Sequence, residues 1–281
     1  MNSLDINNEN DLVSRIRFPS GEHHVRINAV DDGDIVELVW SEPNGDIMVL
    51  GMAVDACRRG GASEIHLLMP FVPYARQDRI AVPGDPLSIK VFTDFLNSLN
   101  LNSVTIFDPH SDVTSALINN CQVVEQHQFA SSALLSMNSD TIDPVAIVAP
   151  DLGAAKKAKK LQAYVENFHN LKFPVIQCDK SRNPHTGQLT GFQVIDGSPY
   201  DHDCLIVDDI CDGGGTFLGL AEVLNNEGAR RLGLYVTHGL FTKGIDLLAS
   251  KFRLFTTRPC QSHVANDSRI CKISVHRSVY A

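Results

Sequence analysis

The sequence predicts an α/β chain of two similar domains, each with a mainly parallel sheet covered by helices. Three observations carry that prediction. Short β-branched apolar runs alternate with stretches of helical period almost throughout. The runs end in acidic or polar residues, where open parallel sheets place their ligands. The length, 281 residues, suits two domains of roughly 140 residues each. The polar stretch MNSDTIDP puts the boundary near 140–143, giving domains 1–142 and 143–281.

The first strands expected are DIVELVW (34–40), EIHLLMP (64–70) and SVTIFD (103–108); PVAIVAP (144–150), CLIVDD (204–209) and RLGLYVTH (231–238) follow. Each is short and nearly continuous in apolar residues, as strands buried on both faces must be. Helices fall between them. DIMVLGMAVDACRRGG ends on the stop signals Gly60 and Gly61, SIKVFTDFLNSLN follows the second strand, and TFLGLAEVLNNEGA closes at Gly228. The cluster KKAKK, Lys156 to Lys160, reads as a solvated helix face. Between Cys178 and Phe192, CDKSRNPHTGQLTGF is polar and lacks either period, and reads as a mobile loop.

Composition narrows the function classes. Hydrophobic residues make up 43% and charged residues 20%, an ordinary soluble composition. The longest apolar run, Ile47 to Val54, is too short to cross a bilayer, so no membrane partner is expected. The opening MNSLDINNEN is polar and acidic, unlike a secretory signal or transit peptide. Seven scattered cysteines without a CxxC pair point to reduced thiols and a cytoplasmic setting. A net charge of −9 argues against nonspecific nucleic-acid binding.

The stretch VDDICDGGGTF carries the chemistry. Asp208 and Asp209 end an apolar strand, Asp212 follows, and then Gly213, Gly214, Gly215 and Thr216 lead into a helix. Consecutive glycines allow positive φ and bring backbone N–H groups close to a ligand. At a helix N-terminus such amides suit a phosphate, and Thr216 adds a hydroxyl. The carboxylates would repel that phosphate, so sugar hydroxyls or a metal are their partners. Together these describe a phosphorylated ribose. A tight strand-to-helix turn capped by aspartate is the plainer alternative.

VDDICDGGGT resembles the ribose-phosphate loop of type I phosphoribosyltransferases and of phosphoribosyl pyrophosphate synthetases. FVPYARQDR (71–79), FDPHSDVTSAL (107–117), APDLGAAKKAKKL (149–161) and VTHGLF (236–241) resemble synthetase motifs, in synthetase order. The resemblance to the ribose-phosphate pyrophosphokinase family runs from about Phe18 to Phe241. It implies two phosphoribosyltransferase-type, Rossmann-like domains, the first with ATP motifs and the second with the ribose-phosphate loop and a catalytic lid. It also implies transfer of the β,γ-diphosphate of MgATP to the C1 hydroxyl of ribose 5-phosphate, releasing AMP.

The resemblance assigns roles residue by residue. Arg76 and Gln77 would grip ATP, and Arg suits bidentate phosphate contact on physical grounds alone. His110 matches a ligand of the Mg2+ of MgATP, although that ion prefers oxygen. Asp151, at a strand end, matches a second metal-associated position. Lys180 and Arg182 match a catalytic Lys-x-Arg pair on a closing lid, where two cations would neutralise charge on the transferred group. RFPSGEHHVRI (17–27) resembles the adenine segment, with Phe18 stacking on the base, Ser20 in the loop and Glu22 accepting from the exocyclic amine. That segment reaches across a subunit interface in the family, which implies a homo-oligomer.

Three departures from the family pattern carry expectations of their own. Ser20 stands where aspartate is usual, which bears on nucleotide selectivity. IAVPGD (80–85) replaces a charged regulatory stretch, predicting weak or absent regulation by phosphate and nucleoside diphosphate. Gly213 stands where Thr or Ser is usual, which predicts open space and a 5-substituted ribose such as ADP-ribose as an alternative acceptor. A phosphoribosyltransferase and a noncatalytic synthetase-like subunit are the remaining alternatives. PYARQDR with Lys180 and Arg182 argues against the first, and the retained His110 and acidic loop against the second.

Overall fold

The computed structural model describes residues 2–7, 10–28, 30–40, 45–140, 143–182, 189–259 and 266–274. The chain forms two compact units that divide between Val124 and Glu125.

The first unit runs β1 (Asn2–Asp5), β2 (Val13–Arg17), β3 (His23–Ile27), β4 (Ile35–Val39), α1 (Ile47–Arg59), β5 (Glu64–Leu68), α2 (Ser88–Ser98), β6 (Ser103–Phe107), α3 (Asp112–Leu117) and β7 (Cys121–Val124). Its sheet has the order β1-β4-β5-β6-β7 with every pairing parallel, and β2 and β3 form a separate antiparallel hairpin. The expected strands at 34–40, 64–70 and 103–108 are β4, β5 and β6. Helix α1 starts where the Asp46 carboxylate accepts the Met48 amide at 3.0 Å. It stops at the glycine pair, where Gly61 has φ +96° and backs onto Asp32 with no room for a Cβ. Its face of Val49, Leu50, Ala53, Val54 and Cys57 is buried in the core. Each of Val49, Leu50 and Val54 contributes about 1.5–3 kcal/mol relative to exposure.

The second unit runs α4 (His127–Ser139), β8 (Val145–Ala149), α5 (Ala155–His169), β9 (Val175–Arg182), β10 (Leu189–Asp196), β11 (Asp203–Cys211), α6 (Gly215–Asn226), β12 (Leu232–Gly239), α7 (Asp246–Ala249), β13 (Arg253–Pro259) and β14 (Ile270–Lys272). The sheet order is β10-β9-β8-β11-β12-β13-β14, antiparallel between β9 and β10 and parallel in its other described pairings. The expected strands at 144–150, 204–209 and 231–238 are β8, β11 and β12. All five residues of β8 and all eight of β12 are buried, so their sequences read as continuous apolar runs. Among the described residues, no helix is long and apolar enough to cross a membrane. Cys178, Cys204 and Cys211 are buried, and loss of hydration pushes each thiol up to about 12, far from a reactive thiolate.

Two expectations are corrected. The units divide ahead of α4 rather than at 140–143, because α4 packs on the sheet of the second unit. Gly233 of β12 lies so close beneath it that a Cβ there would collide with Met137 Sδ. Arg253 of β13 reaches Asp140 and donates to Ser136 Oγ at 3.0 Å, fastening the helix end. Nor is 178–192 a loop along its whole length. Cys178–Arg182 lies in β9 and Leu189–Phe192 in β10, paired from Arg182–Leu189 to Cys178–Val194. The outer strand β10 and the carboxyl half of β9 beside it carry polar residues in sequence, which hides them from an apolar-run search. Residues 183–188 of that segment lie outside the described residues.

Candidate active site

In the second unit, β9, β8 and β11 are parallel neighbours, so their carboxyl ends open on one edge of the sheet. Asp151 follows β8 there, Lys180 lies near the end of β9, and Asp208 and Asp209 lie near the end of β11. The Lys180 ammonium donates to Asp151 Oδ2 at 2.9 Å. The other oxygen, Oδ1, accepts the Ala154 amide at 3.1 Å, so Asp151 also supports the turn into α5. Loss of hydration pushes the Asp208 carboxyl well above the usual range, helped by the Asp209 carboxylate beside it and by Asp151. The Asp209 amide donates to Asp208 Oδ1 at 2.9 Å, and Asp209 is buried. Three carboxyl groups and one ammonium thus share this edge.

Lys180 is held in place from behind. It pairs in register with Phe192 on β10, and Phe192 lies on Gly219 of α6, where a Cβ would stand 2.5 Å from the ring. Sequence reading missed Phe192 and Gly219. Their signal was the apolar residue inside a polar segment and the glycine inside a helix. For Arg182 the backbone closes β9 opposite Leu189.

The glycine loop leaves β11 beside this cluster, and its three glycines differ. Gly214 has φ +77° and packs on Leu248 at 3.1 Å from an added Cβ, a position only glycine fills well. Gly215 opens α6 with nothing within 4 Å of an added Cβ, leaving room for a ligand. The first helical bond runs from the Leu218 amide to Gly214 O at 3.1 Å. The amides of Gly215, Thr216 and Phe217 therefore precede the helical ladder, at the positive end of the dipole. Gly213 is covered: an added Cβ would sit 3.3 Å from Cδ and Cε of Lys243. The open space expected beside Gly213 is thus filled by the lysine stem, which removes the ground for a bulkier 5-substituent. Asp212 accepts from the Thr242 hydroxyl at 2.7 Å.

The first unit gathers its candidates at adjacent carboxyl ends as well. The β5 end leads through Tyr74 to Arg76 and Gln77, and the β6 end leads to His110. Tyr74 has φ 63°, its ring lies 5.8 Å from Phe92 of α2, and its carbonyl accepts the Gln77 amide at 2.9 Å. Arg76 and Gln77 are exposed beyond this pinned turn. His110 is exposed two residues after Asp108, which is buried at φ 39° with its amide on Val124 O at 2.8 Å. Strain of this kind clusters at functional sites. Phe18, Ser20 and Glu22 form the tip of the β2–β3 hairpin, with Gly21 at φ 94°. The Phe18 ring is exposed at this tip, and Ser20 Oγ donates to Glu22 Oε2 at 3.0 Å. An aspartate at position 20 would repel Glu22, whereas the serine orients it.

A family model for the N-terminal domain of ribose phosphate pyrophosphokinase matches residues 4–99, and one for the phosphoribosyl transferase domain matches residues 126–265. A ribose-phosphate pyrophosphokinase of Haemophilus ducreyi is 32% identical over 233 residues, covering 80% of this chain and 70% of the relative. The chain belongs to the ribose-phosphate pyrophosphokinase family. A second such pyrophosphokinase, from Buchnera aphidicola, is 33% identical over 233 residues, with the same shares of 80% and 70%. The crystal structure of phosphoribosylpyrophosphate synthetase from Mycobacterium smegmatis shares the fold, with a TM-score of 0.79 at 21% identity, over 97% of this chain and 94% of that one. The expected fold of phosphoribosyltransferase-type domains and the expected family are both met.

Proposed function

We propose that this pyrophosphokinase-family chain transfers the β,γ-diphosphate of ATP to the C1 hydroxyl of ribose 5-phosphate, giving phosphoribosyl pyrophosphate and AMP. The observation that carries the reading is the carboxyl edge of the second unit. There a phosphate seat with an open Gly215 adjoins two strand-end aspartates and the Lys180–Asp151 pair. The seat would take the 5-phosphate, through the first-turn amides of α6 and the Thr216 hydroxyl. Asp208 and Asp209 would accept from the 2- and 3-hydroxyls and so fix the sugar ring. That leaves the C1 hydroxyl directed away from the phosphate, as attack on the β-phosphorus of ATP requires.

The reaction needs no covalent protein intermediate, so positioning and neutralisation of charge account for the rate. Lys180 and Arg182 would supply positive charge to the transferred diphosphate. Binding would first have to draw Lys180 from Asp151, which ties its action to occupancy of the site. Arg76 and Gln77 would hold the nucleotide phosphates. Phe18, Ser20 and Glu22 would hold adenine, on a second copy if the family arrangement carries over, so the active form is a homo-oligomer.

A divalent cation fits the donors present. Mg2+ takes one or two protein carboxylates and completes its shell with phosphate oxygens and water. Among the described residues no larger metal-holding group comes together, and Asp151 offers one hard carboxylate in a negative field. Asp151 would hold the cation near the ribose hydroxyls and His110 would hold that of MgATP. When bound, the cation neutralises charge on the phosphates. The setting is cytoplasmic on this reading.

Release of AMP from ATP that depends on ribose 5-phosphate tests the proposal. A phosphoribosyltransferase would release none, and a noncatalytic subunit would do nothing alone. Equal or faster turnover of ADP-ribose would contradict the covered Gly213. No AMP with either acceptor would end the reading.

A further inference from the structure

We propose that Lys243 is a phosphate ligand that sets acceptor specificity, its ammonium gripping the 5-phosphate in place of the hydroxyl side chain that Gly213 lacks. This rests on the functional reading above.

Gly213 is not glycine for the sake of its backbone. Its φ lies outside the left-handed region that Gly214 occupies at +77°, so an ordinary side chain suits its conformation. What takes that side chain's place is the lysine stem, with Cδ and Cε at 3.3 Å and Cγ at 3.6 Å from an added Cβ. The ammonium stands one bond of about 1.5 Å beyond Cε, which itself lies against the glycine loop. Lys243 is exposed, and its ammonium pairs with no carboxylate among the described residues.

The segment that carries it is fastened to the loop. Cys211 pairs in register with Gly239, and the Leu240 and Phe241 amides both donate to Cys211 O, at 2.9 and 3.0 Å. The Thr242 amide donates to Asp212 O at 3.0 Å and its hydroxyl to Asp212 Oδ1 at 2.7 Å. Gly244, at φ +76°, turns the chain back toward α7. These bonds fix the base of Lys243 beside Gly213 while leaving its end free to meet a ligand.

Electrostatics gives the lysine a task. Asp208, Asp209 and Asp212 all lie within a few residues of the seat, and each opposes an anion there. The helix terminus offers only about half a positive charge. A phosphate monoester carries about −1.5 to −2 near neutrality. A full cation at the rim restores the balance that a hydroxyl alone would not, and an ammonium donates readily to phosphate oxygens.

Steady-state AMP release from Lys243→Met and Lys243→Arg, with each substrate varied, tests the assignment. Lys243→Met should raise KM for ribose 5-phosphate about tenfold to a hundredfold, with kcat and KM for ATP moving far less. Lys243→Arg should recover most of the loss. The exchange Gly213→Thr with Lys243→Gly should regain affinity over Lys243→Gly alone. A ribose 5-phosphate KM within twofold of wild type, or an equal rise for ATP, would overturn the role. Calorimetric titration with inorganic phosphate reads Lys243 without turnover: weaker binding in Lys243→Met supports it and equal binding ends it, even where absence of AMP release has ended the functional reading.

Discussion

Strand β11 carries aspartates at both ends, and the protein treats the two ends in opposite ways. At the amino end Asp203 is fully buried, and Arg231 donates to its Oδ2 from Nη2 at 2.6 Å and from Nε at 3.0 Å. Asp203 holds Arg231 firmly protonated, and its own Oδ1 is buried without a hydrogen-bond partner among the described residues. At the carboxyl end Asp208 faces Asp209 and Asp151, and the Lys180 ammonium beside them is bound to Asp151. One strand therefore separates a carboxylate paired with an arginine from carboxylates crowded against one another. Crowding of this kind costs stability and persists where a ligand relieves it.

The largest effect that would sharpen this contrast is at Lys180. Lys180→Ala should lower kcat about 10²–10³-fold, because on the proposed reading the cation would act where charge develops, while ATP affinity stays largely intact. Nucleotide titration beside AMP release checks both parts. An unchanged rate would remove Lys180 from the chemistry and leave its bond to Asp151 a structural pair like Asp203–Arg231.

At the opposite end the effect should fall on stability alone. Arg231→Met strands the buried Asp203 charge. The cost should be about 2–4 kcal/mol, below the range for a fully buried pair because the guanidinium is half exposed. Thermal unfolding should drop by roughly 4–16 °C, with kcat and KM per folded molecule unchanged. Lost activity with no change in unfolding temperature would break the comparison, since the pair would then act on the site.

The same contrast explains what was legible in the sequence. Strand-end aspartates and the glycine run are local, so Asp208, Asp209, Asp212 and Gly213 to Thr216 could be read directly. The six expected strands were readable because both faces are buried, as in β8 and β12. The polar hairpin strands β9 and β10 gave no such signal, and α4 was assigned to the wrong half because its packing on Gly233 is long-range. The Lys180–Asp151 bond spans 29 residues and depends on β9 lying beside β8. The Lys243 stem over Gly213 depends on the register of β11 with β12. Neither follows from spacing. Only the family resemblance singled out Lys180, and nothing singled out Lys243.

The smallest expected effect is the most discriminating, because it moves stability and activity in opposite directions. Burial and the Asp209 and Asp151 carboxylates raise the Asp208 carboxyl, so the folded chain holds that proton more tightly than the unfolded chain does. Such a group favours folding while protonated, and its contribution is lost as pH rises from the ordinary aspartate value of about 3.9 through the higher folded value. At neutral pH, without metal or substrate, this carboxyl therefore opposes folding. Asp208→Asn keeps the shape and removes the charge. It should stabilise the chain by about 0.5–2 kcal/mol, raising the unfolding temperature by roughly 1–8 °C, and the gain should vanish below the ordinary aspartate range. In the same variant kcat/KM for ribose 5-phosphate should fall about tenfold to a hundredfold, as a charged acceptor for the sugar hydroxyls is lost. A destabilised variant would mean that the Asp208 charge, like that of Asp203, is compensated by a partner in the fold, and the two ends of β11 would no longer differ.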